Sequence, residues 1–252
     1  HFGPRKWSFR VHVKGEDQLF GLRRFSIQAP RTRQYQREPI YLAHLRREGI
    51  LAVDYFFVKV RLNGENIGVM AVEEHFSKEL LQRQRRREGI IIKFNGDDWW
   101  NYKSKYFLDT PYRDYRVAEI LPFRPKWVNK SNTLKANYLT AVGLLRGFID
   151  GRLLATQVFD AKLLSRHLVL MVLWGTVHPQ IFDNVRLYLN PITMRLEPIG
   201  FDGQPLLNSV RLSPSLPTWS LYRNSFTDPE FKKIYYEELG RITNDVLTEE
   251  FR

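Results

Sequence analysis

The chain has 252 residues, 43% hydrophobic and 14% aromatic, enough apolar content for one large core or for two lobes sharing a cleft. Lys and Arg number 39 against 27 Asp and Glu, a formal charge of +12, which favours anionic partners: nucleotide phosphates, an acidic protein, nucleic acid or an anionic surface. The absence of cysteine excludes disulfides, thiolate zinc sites and Cys nucleophiles, and the best apolar run, Leu168 to Trp174, falls short of the roughly 18 residues of a membrane span.

In chain order, Trp7, Phe9, Val11 and Val13 alternate with Ser8, Arg10, His12 and Lys14, the pattern of a half-buried strand with a basic face. A second strand, Arg24 to Gln28, ends before Pro30. A helix is expected from about Gln36 to Arg47, stopped by Gly49. Strands Tyr55 to Leu62 and Gly68 to Val72 flank Asn63-Gly64, the strongest short hairpin signal. Ser77 is placed to cap a helix reaching about Arg87, in which the QRQRRR run of 82–87 reads as a solvated face more readily than as a nucleic-acid patch. Strand Ile90 to Phe94 is expected to close a β-rich first lobe, residues 1–94. Residues 95–132 are irregular and carry Pro111, Pro122 and Pro125. They read as a connection or insertion whose Trp99, Trp100, Tyr102, Tyr106 and Tyr112 pin it to the body or stack on bases or sugars. A helical lobe, 133–252, follows: Leu134 to Ile149, then a helix capped by Asp160 and ending near Trp174, and a last helix opened by Asp228-Pro229. The segment from Gln204 to Pro217 reads as a mobile loop near a site.

Between these helices lies the most informative stretch, 178–203. Runs Val185 to Leu189 and Met194 to Ile199 flank an Asn190-Pro191 turn signal, which predicts a β-hairpin. Asn184 precedes its first strand and Asp202 follows its second. An amide and a carboxylate held side by side at the open end of a hairpin can share a hard cation such as Mg²⁺, and the same two residues can also simply cap turns. Strands with a helix, then helices, a hairpin and a further helix make an α+β fold with a β-rich lobe and a helical lobe, the order of a kinase-like arrangement.

These pieces together resemble the CotH kinase family, the spore coat protein H-like proteins, over nearly the whole chain. The resemblance is carried by KWSFRVHV, FSIQAPRTR, VRLNGENIGVMAVEEHF, GIIIKF, VFDAKLLSRHL, and NVRLYLN followed by LEPIGFD. It implies an atypical protein-kinase-like fold and ATP-dependent phosphorylation of Ser or Thr in proteins, with Mg²⁺ or Mn²⁺. It also implies an extracytoplasmic place, secreted or on a cell or spore surface. Asn184 and Asp202 match the family's metal positions. Lys6, Arg10 and Arg24 are candidates to neutralise phosphates, each of them equally readable as a solvated charge. Glu38 is a candidate partner for one of these cations, and Glu74 a candidate to hold a ribose or base amine. The phosphate-contacting loop of the family precedes the first strand, and only His1 to Lys6 of it is present, so the sequence is read as a piece of a longer protein with any targeting segment upstream.

Two positions depart from the family. The catalytic Asp expected five residues before the metal-binding Asn is Pro179, which cannot accept a proton; His178 and Asp183 are the candidates to replace it. Gly200 stands where many members carry an acidic residue. The alternatives to a protein kinase are therefore a CotH-like pseudokinase acting as an adhesive or structural module on an acidic protein partner and, ranked last, a nucleic-acid-binding protein.

Overall fold

The computed structural model describes residues 7–15, 17–97, 100–101, 105, 115–205, 216 and 220–248. Within them the chain is α+β, built on two sheets.

The first sheet has the order β1-β2-β5-β4. β1 (Phe9–His12) pairs antiparallel with β2 (Arg24–Gln28). β4 (Tyr55–Leu62) and β5 (Glu65–Glu74) form a hairpin whose turn sets Asn63 at φ 51° and Gly64 at φ 85°. Two successive positive φ values twist a two-residue turn the way the strands twist, and glycine meets the second without steric cost. β5 continues to Glu74, past the expected Val72, because its other edge pairs with β2, with Phe25 opposite Glu74. On one face Leu22, Phe25 and Val72 make a small cluster, while Tyr55 and Ala71 belong to the main core.

The second sheet has the order β3-β9-β8-β6-β7. The predicted hairpin is β8 (Arg186–Asn190) and β9 (Arg195–Gly200), and it lies at the sheet's centre. β6 (Ile90–Phe94) does not close the first sheet as expected; it pairs with β8, Ile92 opposite Leu187. Ile90, Ile91, Ile92 and Phe94 are all buried, so the strand is apolar on both faces and belongs inside a covered sheet. β3 (Leu51–Ala52), also from the first third of the chain, runs parallel to β9. The expected connection contributes β7 (Ile120–Pro122), which pairs with β6, and a short helix.

The helices are α1 (Arg37–Arg47), α2 (Lys78–Arg83), α3 (Pro125–Val128), α4 (Asn132–Ile149), α5 (Ala155–Val158), α6 (Ala161–Leu173) and α7 (Pro229–Leu247). Asp160 caps α6 by accepting from the Leu163 N–H at 3.0 Å, and Asp228 caps α7 by accepting from Glu230 and Phe231 N–H at 3.1 and 3.3 Å. α2 ends four residues before the expected Arg87. The Gln84 side chain leaves the helix to bracket the Ala52 backbone, accepting from its N–H and donating to its carbonyl, and Arg85 turns to φ 56°. The QRQRRR run is accordingly not a wholly solvated face: Arg83 pairs with Asp54 at 3.0 Å and with Glu74, and Arg86 with Glu197 at 2.7 Å. Among the described residues no helix is long and apolar enough to cross a membrane. Trp99, Tyr102, Tyr106, Tyr112, Lys6 and most of the 204–217 loop lie outside the described residues.

Candidate functional site in the cleft between the sheets

A cleft of about 460 Å³ separates the two sheets. Arg10, Ser26 and Gln28 line it from the first sheet, and Lys93, Arg186 and Phe201 from the second. At its edge the end of β9 turns sharply. Asp202 stands at φ 51° and Gln204 at φ 46°, in the left-handed region that an Asp tolerates better than most residues. Glu38, in the first turn of α1, holds this turn: its two carboxylate oxygens accept from the Gly203 and Gln204 N–H groups, each at 2.9 Å. A Cβ on Gly203 would fall 2.4 Å from Tyr41 of α1, so the close approach of helix and turn requires glycine.

The turn delivers Asp202 into a buried polar cluster. Its Oδ1 accepts from Arg33 Nη1 at 2.7 Å and from Gln204 Nε2 at 2.9 Å, and its Oδ2 faces His178 Nδ1 at 3.2 Å. The same Nδ1 lies 3.0 Å from Asn184 Nδ2. Because the proton on Nδ1 is committed to Asp202, the Asn184 amide donates to the His178 carbonyl, 3.3 Å away. Asn184 and Asp202 thus meet at one imidazole nitrogen, side by side as their hairpin positions predict. Arg33 extends the cluster to Glu73 on β5, its Nε 3.0 Å away, and Gln28 donates to the same Glu73 oxygen at 3.1 Å.

Charge sets the protonation states. Burial pushes the Asp202 carboxyl up, but the hydrogen bond from His178 and the Arg33 charge outweigh it, and the group titrates below the usual carboxylate range. Burial lowers His178, yet its hydrogen bond and charge contact with Asp202 raise it above the ordinary histidine value. Glu73 is raised by burial despite the Arg33 charge, whereas Arg33 itself is raised, Glu73 and Asp202 together overcoming its own burial. Arg33 is thus the secure charge of that pair. Burial lowers the Arg186 guanidinium to about 10, against the pull of Asp183, Asp202 and Glu73.

The remaining predicted residues are distributed unevenly. Arg10 lines the cleft from β1, exposed. Arg24 is exposed and does not line the cleft. Glu38 pairs with neither: it is fully buried and spent on backbone N–H groups, which corrects its expected role as partner of a strand cation. Glu74 lines the cleft, its Oε2 bound to Arg83 and the Asp54 N–H and its Oε1 buried without a partner among the described residues. Asp183, the other candidate to replace the missing Asp, turns its Oδ2 to Trp100, accepting from Nε1 at 3.0 Å. Pro179 is buried in a 3-10 turn, His178–Gln180. A Cβ on Gly200 would lie 2.2 Å from Leu45 Cδ1, so an acidic side chain has no room there.

Arg33, Glu73, Lys93, Arg186 and Gln204 were not singled out by sequence reasoning. Arg33 and Glu73 lie inside two of the quoted motifs, FSIQAPRTR and VRLNGENIGVMAVEEHF, but only the folded chain brings Arg33 between Asp202 and Glu73. Among the described residues, no group of three or more His, Asp or Glu side chains is arranged to hold a metal. No protein-family profile and no curated protein matches the sequence.

Proposed function

We propose that the chain is a CotH-like, kinase-fold phosphotransferase that takes a nucleoside triphosphate such as ATP into the cleft between its sheets and phosphorylates Ser or Thr of a protein substrate. The observation that supports this most is the meeting of Asn184 and Asp202 at His178 on the edge of a basic cleft. A carboxylate and an amide oxygen suit Mg²⁺ or Mn²⁺, which need only one or two protein oxygens when phosphates complete their shell. Such an ion would supply neutralisation of phosphate charge. Asn184 and Asp202 would hold it, with Arg33 withdrawing onto Glu73. His178 is the candidate proton acceptor: Asp202 fixes its Nδ1 tautomer and makes the ring more basic than an ordinary histidine. In this reading the protein acts outside the cytoplasm.

A second reading, a pseudokinase that docks an acidic protein, is favoured by one observation. Arg33 already neutralises Asp202 from 2.7 Å, as a built-in cation would. Nucleic-acid binding ranks last, because Arg83 and Arg86 are spent on internal ion pairs.

Thermal stability with ATP and Mg²⁺, compared between wild type and Asp202→Asn, tests nucleotide binding. Stabilisation in the wild type that is lost in the variant is expected, and none in either would sink the reading. Transfer of radiolabelled phosphate to a Ser-rich acidic protein by wild type and His178→Ala then separates kinase from pseudokinase. Absence of transfer by a wild type that binds ATP selects the second reading.

A further inference from the structure

Arg186 opens β8 and Lys93 lies directly opposite it on β6. Two cations facing each other across antiparallel strands repel, and here both line the cleft. Neither makes an ion pair among the described residues. Three aromatic rings surround the Arg186 guanidinium, Phe76, Phe123 and Phe201 at 5.4, 5.2 and 5.1 Å, and Lys93 Nζ shares the Phe123 ring at 5.5 Å. The rings fix the planar guanidinium but accept none of its in-plane N–H bonds. Arg186 Nη1 donates to the Asp183 and Val185 carbonyls at 2.6 and 3.0 Å, whereas Nε is buried and has no hydrogen-bond partner among the described residues. A buried donor without an acceptor, beside a second cation, calls for an anion with oxygens to share.

We infer that Arg186 and Lys93 form an oxyanion subsite on the second-sheet wall of the cleft, taking a phosphate group of a polyphosphate ligand. Placing that ligand on a nucleotide rests on the function proposed above; the subsite itself does not. The planar fork of Arg186 supplies parallel donors and orientation, and Lys93 supplies a point charge on the same phosphate oxygens. The strand cations Arg10 and Arg24, one across the cleft and one outside it, are secondary to this pair.

Calorimetric titration with inorganic tripolyphosphate, without metal, tests the subsite in wild type, Arg186→Gln and Lys93→Met, with ATP and adenosine as parallel titrants. Tripolyphosphate binding at least tenfold weaker in each variant is expected. Lys93→Met also carries a reading that does not depend on ligand. Relieving the cross-strand repulsion should raise the unfolding midpoint of the ligand-free protein, whereas a merely structural lysine would lower it. Wild-type affinity for tripolyphosphate in a folded Lys93→Met protein, or no binding by the wild type, overturns the subsite even if ATP with Mg²⁺ still binds. Conversely, if tripolyphosphate binds through this pair but ATP binds no more tightly and adenosine not at all, the subsite stands and the nucleotide reading falls.

Discussion

Glu38 offers the most direct test of how the turn carrying Asp202 is held. Its carboxyl is fully buried, and burial pushes it up to about 7, above an ordinary value of 4.5, although the Gly203 and Gln204 N–H groups favour the ionised form. Between those two values the folded chain keeps a proton that the unfolded chain has lost. Stability from this group is therefore fully present at low pH and falls as pH rises through about 7. At ~1.4 kcal/mol per pH unit, the interval of about 2.5 units amounts to about 3.5 kcal/mol. Glu38→Gln removes the titration while keeping the shape, at the expense of setting an NH₂ against one backbone N–H. Urea unfolding at pH 5 and pH 8 measures the effect. The wild type should exceed Glu38→Gln in stability by about 2.5 kcal/mol more at pH 5 than at pH 8, because part of the interval lies below pH 5. Glu74, likewise pushed to about 7 by burial, is present in both proteins and cancels in the comparison. A difference between the two proteins that is flat across this range, or that grows with pH, would refute the reasoning.

Three further outcomes follow from the same contacts. Gly203→Ala should cost about 1–3 kcal/mol, because the added Cβ meets Tyr41 at 2.4 Å; an unfolding midpoint equal to wild type would show that α1 and the turn give way freely. Asp228→Ala removes acceptors for the Glu230, Phe231 and Thr156 N–H groups and for the Thr156 hydroxyl, so a loss of about 2 kcal/mol or more in urea is expected, and a loss under ~0.5 kcal/mol would contradict the role of this cap. In Asp202→Asn the His178 imidazole should titrate at lower pH than in the wild type, since burial and the Arg33 charge then act unopposed. Nuclear magnetic resonance of the ring nitrogens reads this, and an unmoved His178 titration would break the proposed coupling.

Much of the local structure is legible in the chain itself. The Asn63-Gly64 turn, the Asp160 and Asp228 caps and the hairpin around Asn190 all rest on interactions within a few residues, where residue type nearly dictates geometry. Strand β6 shows the limit. Its apolar run announces a doubly covered strand, but nothing local chooses β8 over β4 as its neighbour.

The candidate site divides in the same way. Asn184, His178 and Asp202 lie near the ends of one short hairpin, so proximity along the chain was enough to bring them together. Arg33, Glu73 and the Lys93–Arg186 opposition join strands and turns far apart in sequence. Charge by itself does not say which of 39 basic residues is solvated and which is buried against a carboxylate or an aromatic ring. Desolvation makes that choice, and desolvation exists only once the sheets have closed on each other. Local chemistry in the chain is enough to foresee most of the elements, the Asp160 and Asp228 caps and the closeness of Asn184 to Asp202 at the hairpin's open end. Which cation holds Asp202, why Glu38 is spent on the backbone, and which basic residues of the cleft make no ion pair among the described residues are settled by tertiary packing, because each depends on what has been excluded from water.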